Sequence, residues 1–226
     1  MKSFYPVVHV ASLTQALDNV KIALDANASG VFLISHALSH RKFIPIALEV
    51  RKQCPNCWLG INVLGLNNID ALTKLPDIGN GHFQGFWSDY TGIEENLGSL
   101  AQKEASNTLD MVRKKVDHYF GGFAFKYQPE VTNLEYAAKL TAEFVDYLTT
   151  SGEETGSSPT PEKIQRIRRA CPTKPIAIAS GISSENVHLF PDADAFLVAS
   201  SIGKTFTQLD PAKTKALAYA INHLEK

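Results

Sequence analysis

Apolar residues fall along this chain in short runs, separated by longer stretches that are apolar on one side only. The runs cover 6–10, 31–35, 58–63, 85–88, 120–125, 144–149, 176–179 and 195–198. They are rich in β-branched and aromatic residues, and most are continuously apolar rather than alternating. That pattern predicts strands covered on both faces, as in a parallel sheet flanked by helices. Between the runs, apolar positions recur at helical spacing. Ser12 sits where it caps a first helix, with Gln15 three residues on in the capping-box position, and Leu13, Ala16, Leu17, Val20 and Leu24 form its buried stripe. Further helices are predicted over 42–53, 69–75, 97–115, 134–141, 161–170, 185–189 and 211–224. Pro161 suits the first turn of its helix after a Thr160 cap.

Eight strands alternating with helices admit two architectures, an open doubly wound sheet or a closed (β/α)₈ barrel. Strands recur about every 27 residues, close to the roughly 30 of a βαβ unit. The open sheet usually carries a glycine-rich turn after its first strand, whereas this strand ends His9-Val10-Ala11-Ser12. The reading is therefore an α/β chain forming a TIM barrel, one domain over 1–226. A weak internal echo agrees with it. Arg51-Lys52-Gln53-Cys54-Pro55 leads into the third run and Arg168-Arg169-Ala170-Cys171-Pro172 into the seventh, four units apart.

Composition narrows the function classes. The chain has 226 residues, 22 basic and 23 acidic side chains and a formal net charge of −1. Nucleic-acid domains are usually strongly basic, so no nucleic-acid partner is expected. No uncharged apolar stretch approaches the roughly 18 residues of a membrane span. The start is too short and interrupted for a signal peptide. Three cysteines, Cys54, Cys57 and Cys171, cannot all pair within one chain, so reduced thiols and a cytoplasmic location are expected. Cys54-Pro55-Asn56-Cys57 has redox spacing but ends a helix instead of opening one, so its role reads as structural. No metal or nucleotide-cofactor motif appears, which leaves the cofactor unknown. A homo-oligomer is compatible with the sequence.

In a TIM barrel the active site lies at the C-terminal strand ends. Ser180-Gly181 follows the seventh strand. Ser200-Ser201 follows the eighth, where a short extra helix would begin and offer free N–H groups to an anion. The loop 151–156 could lend more amides through Gly152 and Gly156, or act as a lid or plain surface loop; Glu153 and Glu154 oppose anion binding unless they face solvent. Lys126 closes the apolar run of the fifth strand and reads as a phosphate contact or, less simply, a Schiff-base lysine. His9 is either an acid–base group or a hydrogen-bonded core histidine. Asn62 either orients a substrate or caps a turn. Asp89 is the only acid immediately after a strand, a candidate general base or hydroxyl binder against the plainer role of a turn aspartate. Phe86, Trp87 and Tyr90 either stack on a ring or belong to the core.

The segments Pro6-Val7-Val8-His9-Val10-Ala11-Ser12-Leu13, Gly60-Ile61-Asn62-Val63-Leu64, Phe123-Ala124-Phe125-Lys126, Ser180-Gly181-Ile182-Ser183-Ser184-Glu185-Asn186-Val187 and Val198-Ala199-Ser200-Ser201-Ile202 run in the same order as motifs of the BtpA family, which they resemble. So does Thr150-Ser151-Gly152 through Pro159 to Arg168. The resemblance spans nearly the whole chain. It implies a barrel similar to the ribulose-phosphate-binding barrels, holding a small phosphorylated ligand. The family's name comes from a role in stabilising photosystem I, which keeps a non-catalytic assembly or regulatory factor as the alternative to an isomerase, lyase or phosphoribosyl-transfer enzyme. The anion-binding segments match better than the acid–base ones. Ile34-Ser35 stands where the family often has Glu-Asn, and Gly122 and Ala124 replace an Asp and a His before the lysine.

Overall fold

The computed structural model describes residues 2–79, 81–93, 95 and 99–224. Eight parallel strands close into one barrel in sequence order: β1 (Ser3–His9), β2 (Val31–Ile34), β3 (Leu59–Ile61), β4 (Gly85–Ser88), β5 (His118–Gly122), β6 (Tyr147–Thr150), β7 (Ile176–Ile178) and β8 (Ala195–Val198). β8 returns to β1 through the pairs Ser3↔Ala195 and Pro6↔Val198. Around it lie α1 (Leu13–Asp25), α2 (His40–Gln53), α3 (Asn68–Thr73), α4 (Ser99–Lys115), α5 (Leu134–Ala142), α6 (Pro161–Ala170) and α7 (Pro211–Asn222). The (β/α)₈ barrel predicted from the apolar runs is the fold observed. No helix among the described residues is long and apolar enough to cross a membrane.

The helix starts follow local chemistry. Ser12 Oγ accepts the Gln15 N–H, and Gln15 Oε1 reaches back to the Ala11 N–H, one residue before the cap. Thr160 Oγ1 accepts the Lys163 N–H, with Pro161 in the first turn.

Several boundaries differ from the sequence reading, each for a local reason. The sixth strand begins at Tyr147 rather than 144, because the Phe144 N–H still bonds to Thr141 O at the end of α5. The fifth ends at Gly122, since Ala124 takes a left-handed φ of 43° that turns the chain out of the sheet. The helix predicted over 185–189 is a single 3₁₀ turn, Val187–Leu189. There Ser183 N–H bonds to Asn186 Oδ1 and Asn186 Nδ2 bonds to Gly181 O, a side-chain turn that competes with helix. Positions 97 and 98, expected to open the fourth helix, lie outside the described residues.

The internal echo extends further than the Cys-Pro match. Arg51 and Arg168, in the last turns of α2 and α6, each bind carbonyls of the following loop. Each also binds the side chain just before the next-but-one strand, Gln84 and Asp194 respectively. Those two acceptors also take the N–H groups of Leu59 and Ile176. Arg113, Asp146 and the Tyr119 N–H repeat the arrangement between α4, β5 and β6. In the first unit Ser29 Oγ takes the Phe4 N–H without an arginine. The staple thus recurs every two units around the barrel floor, and Cys54 and Cys57 belong to it through the carbonyls that hold Arg51.

Strand pairing separates two cores. Residues paired across a parallel ladder face the same side, so Val7↔Phe32, Phe32↔Gly60, Trp87↔Phe120 and Phe120↔Tyr147 trace the interior. Tyr5, Phe32, Trp58, Phe120 and Tyr147 fill its lower part, with Phe120 and Tyr147 stacked at 4.0 Å. Gly60 makes room for them, since a Cβ there would lie 2.2 Å from the Phe32 ring. The other strand face packs against the helices in a separate apolar cluster. Carried one step further toward the C-terminal ends, the interior alternation reaches His9, Asn62, Asp89, Ser151 and Gly181. A polar layer therefore sits on top of an aromatic plug.

Candidate active site

Asn62 and Asp89 meet at the mouth, Asn62 Nδ2 donating to Asp89 Oδ1 at 3.1 Å. Burial raises the Asp89 pKa above the ordinary carboxylate value, outweighing the opposing pull of Lys126, the Asn62 bond and His36. Lys126 shows the mirror image. Burial lowers its pKa, and the Asp89 charge restores only part of the shift. The two attract without forming a direct ion pair, which leaves space between them.

The backbone around Lys126 is bent on both sides. Ala124 has φ 43° and Tyr127 φ 61°, left-handed conformations that cost non-glycine residues free energy. Several bonds hold this turn. Thr150 Oγ1 donates to Ala124 O, the Lys126 N–H donates to Ser151 Oγ at 2.8 Å, and the Tyr127 hydroxyl accepts the Thr155 N–H. Lys163 reaches over from α6, its ammonium donating to Ala124 O at 2.6 Å and Ser151 O at 2.8 Å. Burial lowers its pKa to about 8. Sequence reasoning missed Lys163. The available signal is its place in the first turn of a helix, where the dipole disfavours a cation unless its charge is bound elsewhere.

His9 ends β1 beside His36, ring centroids 5.1 Å apart, and Phe206 from the segment after β8 lies over it at 4.3 Å. Phe206 too was invisible to sequence reasoning, because no local pattern marks a ring that packs on a residue nearly the whole chain away. His9 Nδ1 is buried without a hydrogen-bond partner among the described residues. Burial first, then the His36 charge, lowers the His9 pKa to about 4. The ring therefore works as a neutral imidazole near pH 7. In the unfolded chain it titrates near 6.5. Between those values the unfolded state holds the extra proton, so this group makes stability fall as pH drops from about 6.5 to about 4. His9→Gln is expected to remove that part of the slope, checked by urea titrations across the same pH range; an unchanged slope would show that His9 is not responsible.

The predicted anion contacts come together at β6, β7 and β8. The loop after β6 crosses Gly181, whose φ is +66°, and a Cβ there would lie 2.0 Å from Ser158 N. Gly152 is crowded in the same way by the Ser157 and Ser158 carbonyls, whereas Gly156, at φ +86°, faces open space. Ser180 Oγ donates to Glu154 O at 3.3 Å, holding the loop down. Glu153 and Glu154 are both exposed, although Glu153 still lines the cavity that holds Lys126 and Lys163. A 3₁₀ turn, Ser200–Ile202, starts where an extra helix was expected. Its first internal bond runs from Ile202 N–H to Ala199 O, so the Ser200 and Ser201 N–H groups precede it. The Ser201 hydroxyl donates to Ile182 O at 2.5 Å, which leaves this residue its main-chain N–H for an anion.

Two cavities open on the same end of the barrel. One of about 660 Å³ lies over β3 and β4 and includes Asn62, Trp87 and Asp89 in its wall. One of about 550 Å³ lies over β5 and β6 and includes Lys126, Gly152 and Lys163. Gly181, Ser200 and Ser201 line neither of the two. Among the described residues no cluster of three or more His, Cys, Asp or Glu side chains could hold a metal ion.

No family model and no curated protein matches the sequence. Solved structures do match. Thiamine phosphate pyrophosphorylase from Pyrococcus furiosus aligns over 99% of this chain and 97% of its own, at 14% identity and a TM-score of 0.64. (S)-3-O-geranylgeranylglyceryl phosphate synthase from Thermoplasma acidophilum, in complex with its substrate sn-glycerol-1-phosphate, aligns over 97% of this chain and 93% of its own, at 12% identity and 0.67. 3-Hexulose-6-phosphate synthase from Salmonella typhimurium covers 100% of both chains at 12% identity and 0.69. The likeness is one of fold. Barrels of this kind host many chemistries, so function has to be argued from the site.

Proposed function

We propose that this barrel binds a small phosphorylated metabolite, a sugar or ribose phosphate, and moves protons on its carbon skeleton as an isomerase or lyase does. The observation that carries the reading is the Asp89–Lys126 pair at the barrel mouth, a carboxyl pushed up and an ammonium pushed down, within electrostatic reach of each other but without a direct ion pair among the described residues. Groups tuned toward each other in this way serve as general base and acid near neutral pH. In the proposed step Asp89 carboxylate takes a proton from the carbon beside a substrate carbonyl. The electron pair moves onto the carbonyl oxygen, which the Lys126 ammonium stabilises. Asn62 orients the Asp89 carboxyl, and His9 offers a neutral hydrogen bond to a hydroxyl.

The phosphate rests on the N–H groups around Gly181, Ser200 and Ser201, with Ser180 holding the Gly152–Gly156 loop beside them. Barrels recurrently use the loops after strands 7 and 8 for this purpose. Two further points support it. The ordered resemblance to the BtpA family is best in these segments, and the three similar structures named above are of enzymes named for phosphate compounds. The acid–base pair favours isomerase or lyase chemistry over phosphoribosyl transfer.

The test is thermal denaturation with inorganic phosphate and a panel of sugar phosphates. A ligand at 100 times its Kd adds about 2.7 kcal/mol, which for a chain of this size raises Tm by about 5–10 °C. If no member of the panel raises Tm, the phosphate reading fails.

A further inference from the structure

The proposed phosphate cradle and the larger cavity lie on opposite sides of the barrel mouth. The cradle is at β7 and β8, and the cavity of about 660 Å³ is over β3 and β4, four strands away around the barrel. They differ in charge. From Asp89 to Gln102 the sequence contains no Lys, Arg or His, and none lines the cavity among the described residues. Its wall instead carries the carboxylates of Asp70, Asp89 and Glu104 and the side-chain amides of Asn62, Asn107 and Gln128. The Asn107 and Gln128 amides make no hydrogen bond among the described residues. Trp87 forms part of the apolar wall, 6% exposed, and its indole N–H is buried without an acceptor.

We propose that this cavity is a subsite for an uncharged hydrogen-bonding group, hydroxylated or amide-bearing, and that it turns anions away. The proposal deepens the phosphate reading of the same mouth and rests on it for the other end of the ligand. The chemistry follows from the wall. Free amides both donate and accept, which matches hydroxyl and amide groups. An indole face suits a sugar or planar ring. A volume of this size lies in the range of small-molecule sites. A second phosphate placed about 4 Å from the Asp70 or Glu104 carboxylate would meet a repulsion of about 1–4 kcal/mol, with no cation among the residues lining the cavity to offset it. The neutral group is either the far end of the phosphorylated ligand or a separate co-substrate.

The experiment is an NMR titration of the ¹⁵N-labelled full chain with inorganic phosphate, ribose, ribose 5-phosphate and ribulose 1,5-bisphosphate. The chain has two tryptophans, and Trp58→Phe identifies the Trp87 indole signal. Ribose 5-phosphate is expected to move the Trp87 indole, whereas inorganic phosphate moves only the Gly181, Ser200 and Ser201 amides. The bisphosphate is expected to move the indole with an affinity about ten-fold weaker, or not at all. A response to free ribose supports a separate co-substrate, and a response that needs the attached phosphate supports one ligand spanning the mouth. The proposal is overturned if ribose 5-phosphate moves the three amides and leaves the indole fixed, or if the bisphosphate matches it at the indole. If the indole responds while the amides never do, the subsite stands and the phosphate reading alone fails. Silence from both sets to every probe ends both.

Discussion

Asp89→Asn reduces turnover by about 100- to 10,000-fold, the range associated with loss of a general base, in a protein that still folds and still binds inorganic phosphate. The substitution keeps size and an acceptor for the Asn62 amide, so the barrel mouth retains its shape. Lys126→Met gives a loss of similar size. The readouts are kcat on the sugar phosphate that gives the largest thermal shift, and the Kd for phosphate measured separately. The pH profile adds a check that a structural defect would not reproduce. With Asp89 active as carboxylate and Lys126 as ammonium, the rate rises through the Asp89 pKa and falls through that of Lys126. The first is raised and the second lowered. Both limbs therefore move inward from the ordinary values of about 3.9 and 10.4. Lys126→Arg carries a charge that does not titrate in this range, so any activity it retains loses the alkaline limb. A kcat unchanged in Asp89→Asn would refute the assignment.

Gly181→Ala is expected to be the most damaging small change at the anion cradle. The new Cβ would lie 2.0 Å from Ser158 N, and the position has φ +66°. Left-handed strain adds about 1–3 kcal/mol, and the loop from Gly152 to Ser158 must move away. Losing one or two hydrogen bonds to a charged phosphate, at about 1.5–3 kcal/mol each, weakens binding roughly 10- to 100-fold or more. Gly156→Ala is the control. Its φ of +86° is just as unsuited to alanine, but nothing lies within 4 Å of the added Cβ. Phosphate titrations on both variants should therefore separate steric loss of the cradle from backbone strain. Equal effects would mean that the contact across Gly181 is unimportant.

Much of the barrel is readable from the chain because the signals are local. Continuous β-branched runs need cover on both faces, and helical stripes of suitable length between them supply it. The same runs locate the strand ends, and with them His9, Asn62 and Asp89. The misses have local causes of their own. At 185–189 the spacing of apolar residues suggests helix, but Asn186 bonds back to Gly181 and Ser183. At 120–125 the apolar run continues past the strand, because Phe123 is buried in the helix-facing cluster before the turn at Ala124 and Phe125 in the interior cluster after it. The Cys-Pro echo showed two of the arginine staples; the one at Arg113 lacks that dipeptide and appears only when Asp146 is seen to bridge it to the Tyr119 N–H.

By itself the sequence determined the architecture, since side-chain alternation and helix periodicity are properties of neighbouring residues. The tertiary structure alone decided which distant groups meet and in what state. Asn62 and Asp89 share a hydrogen bond across two strands, Lys163 stakes a turn built by two other strands, and Phe206 covers His9. Protonation follows from those encounters, because desolvation and Coulomb interactions depend on distance in space rather than along the chain. The same dependence leaves the cavity over β3 and β4 lined by no Lys, Arg or His among the described residues, while Lys126 and Lys163 line the one over β5 and β6.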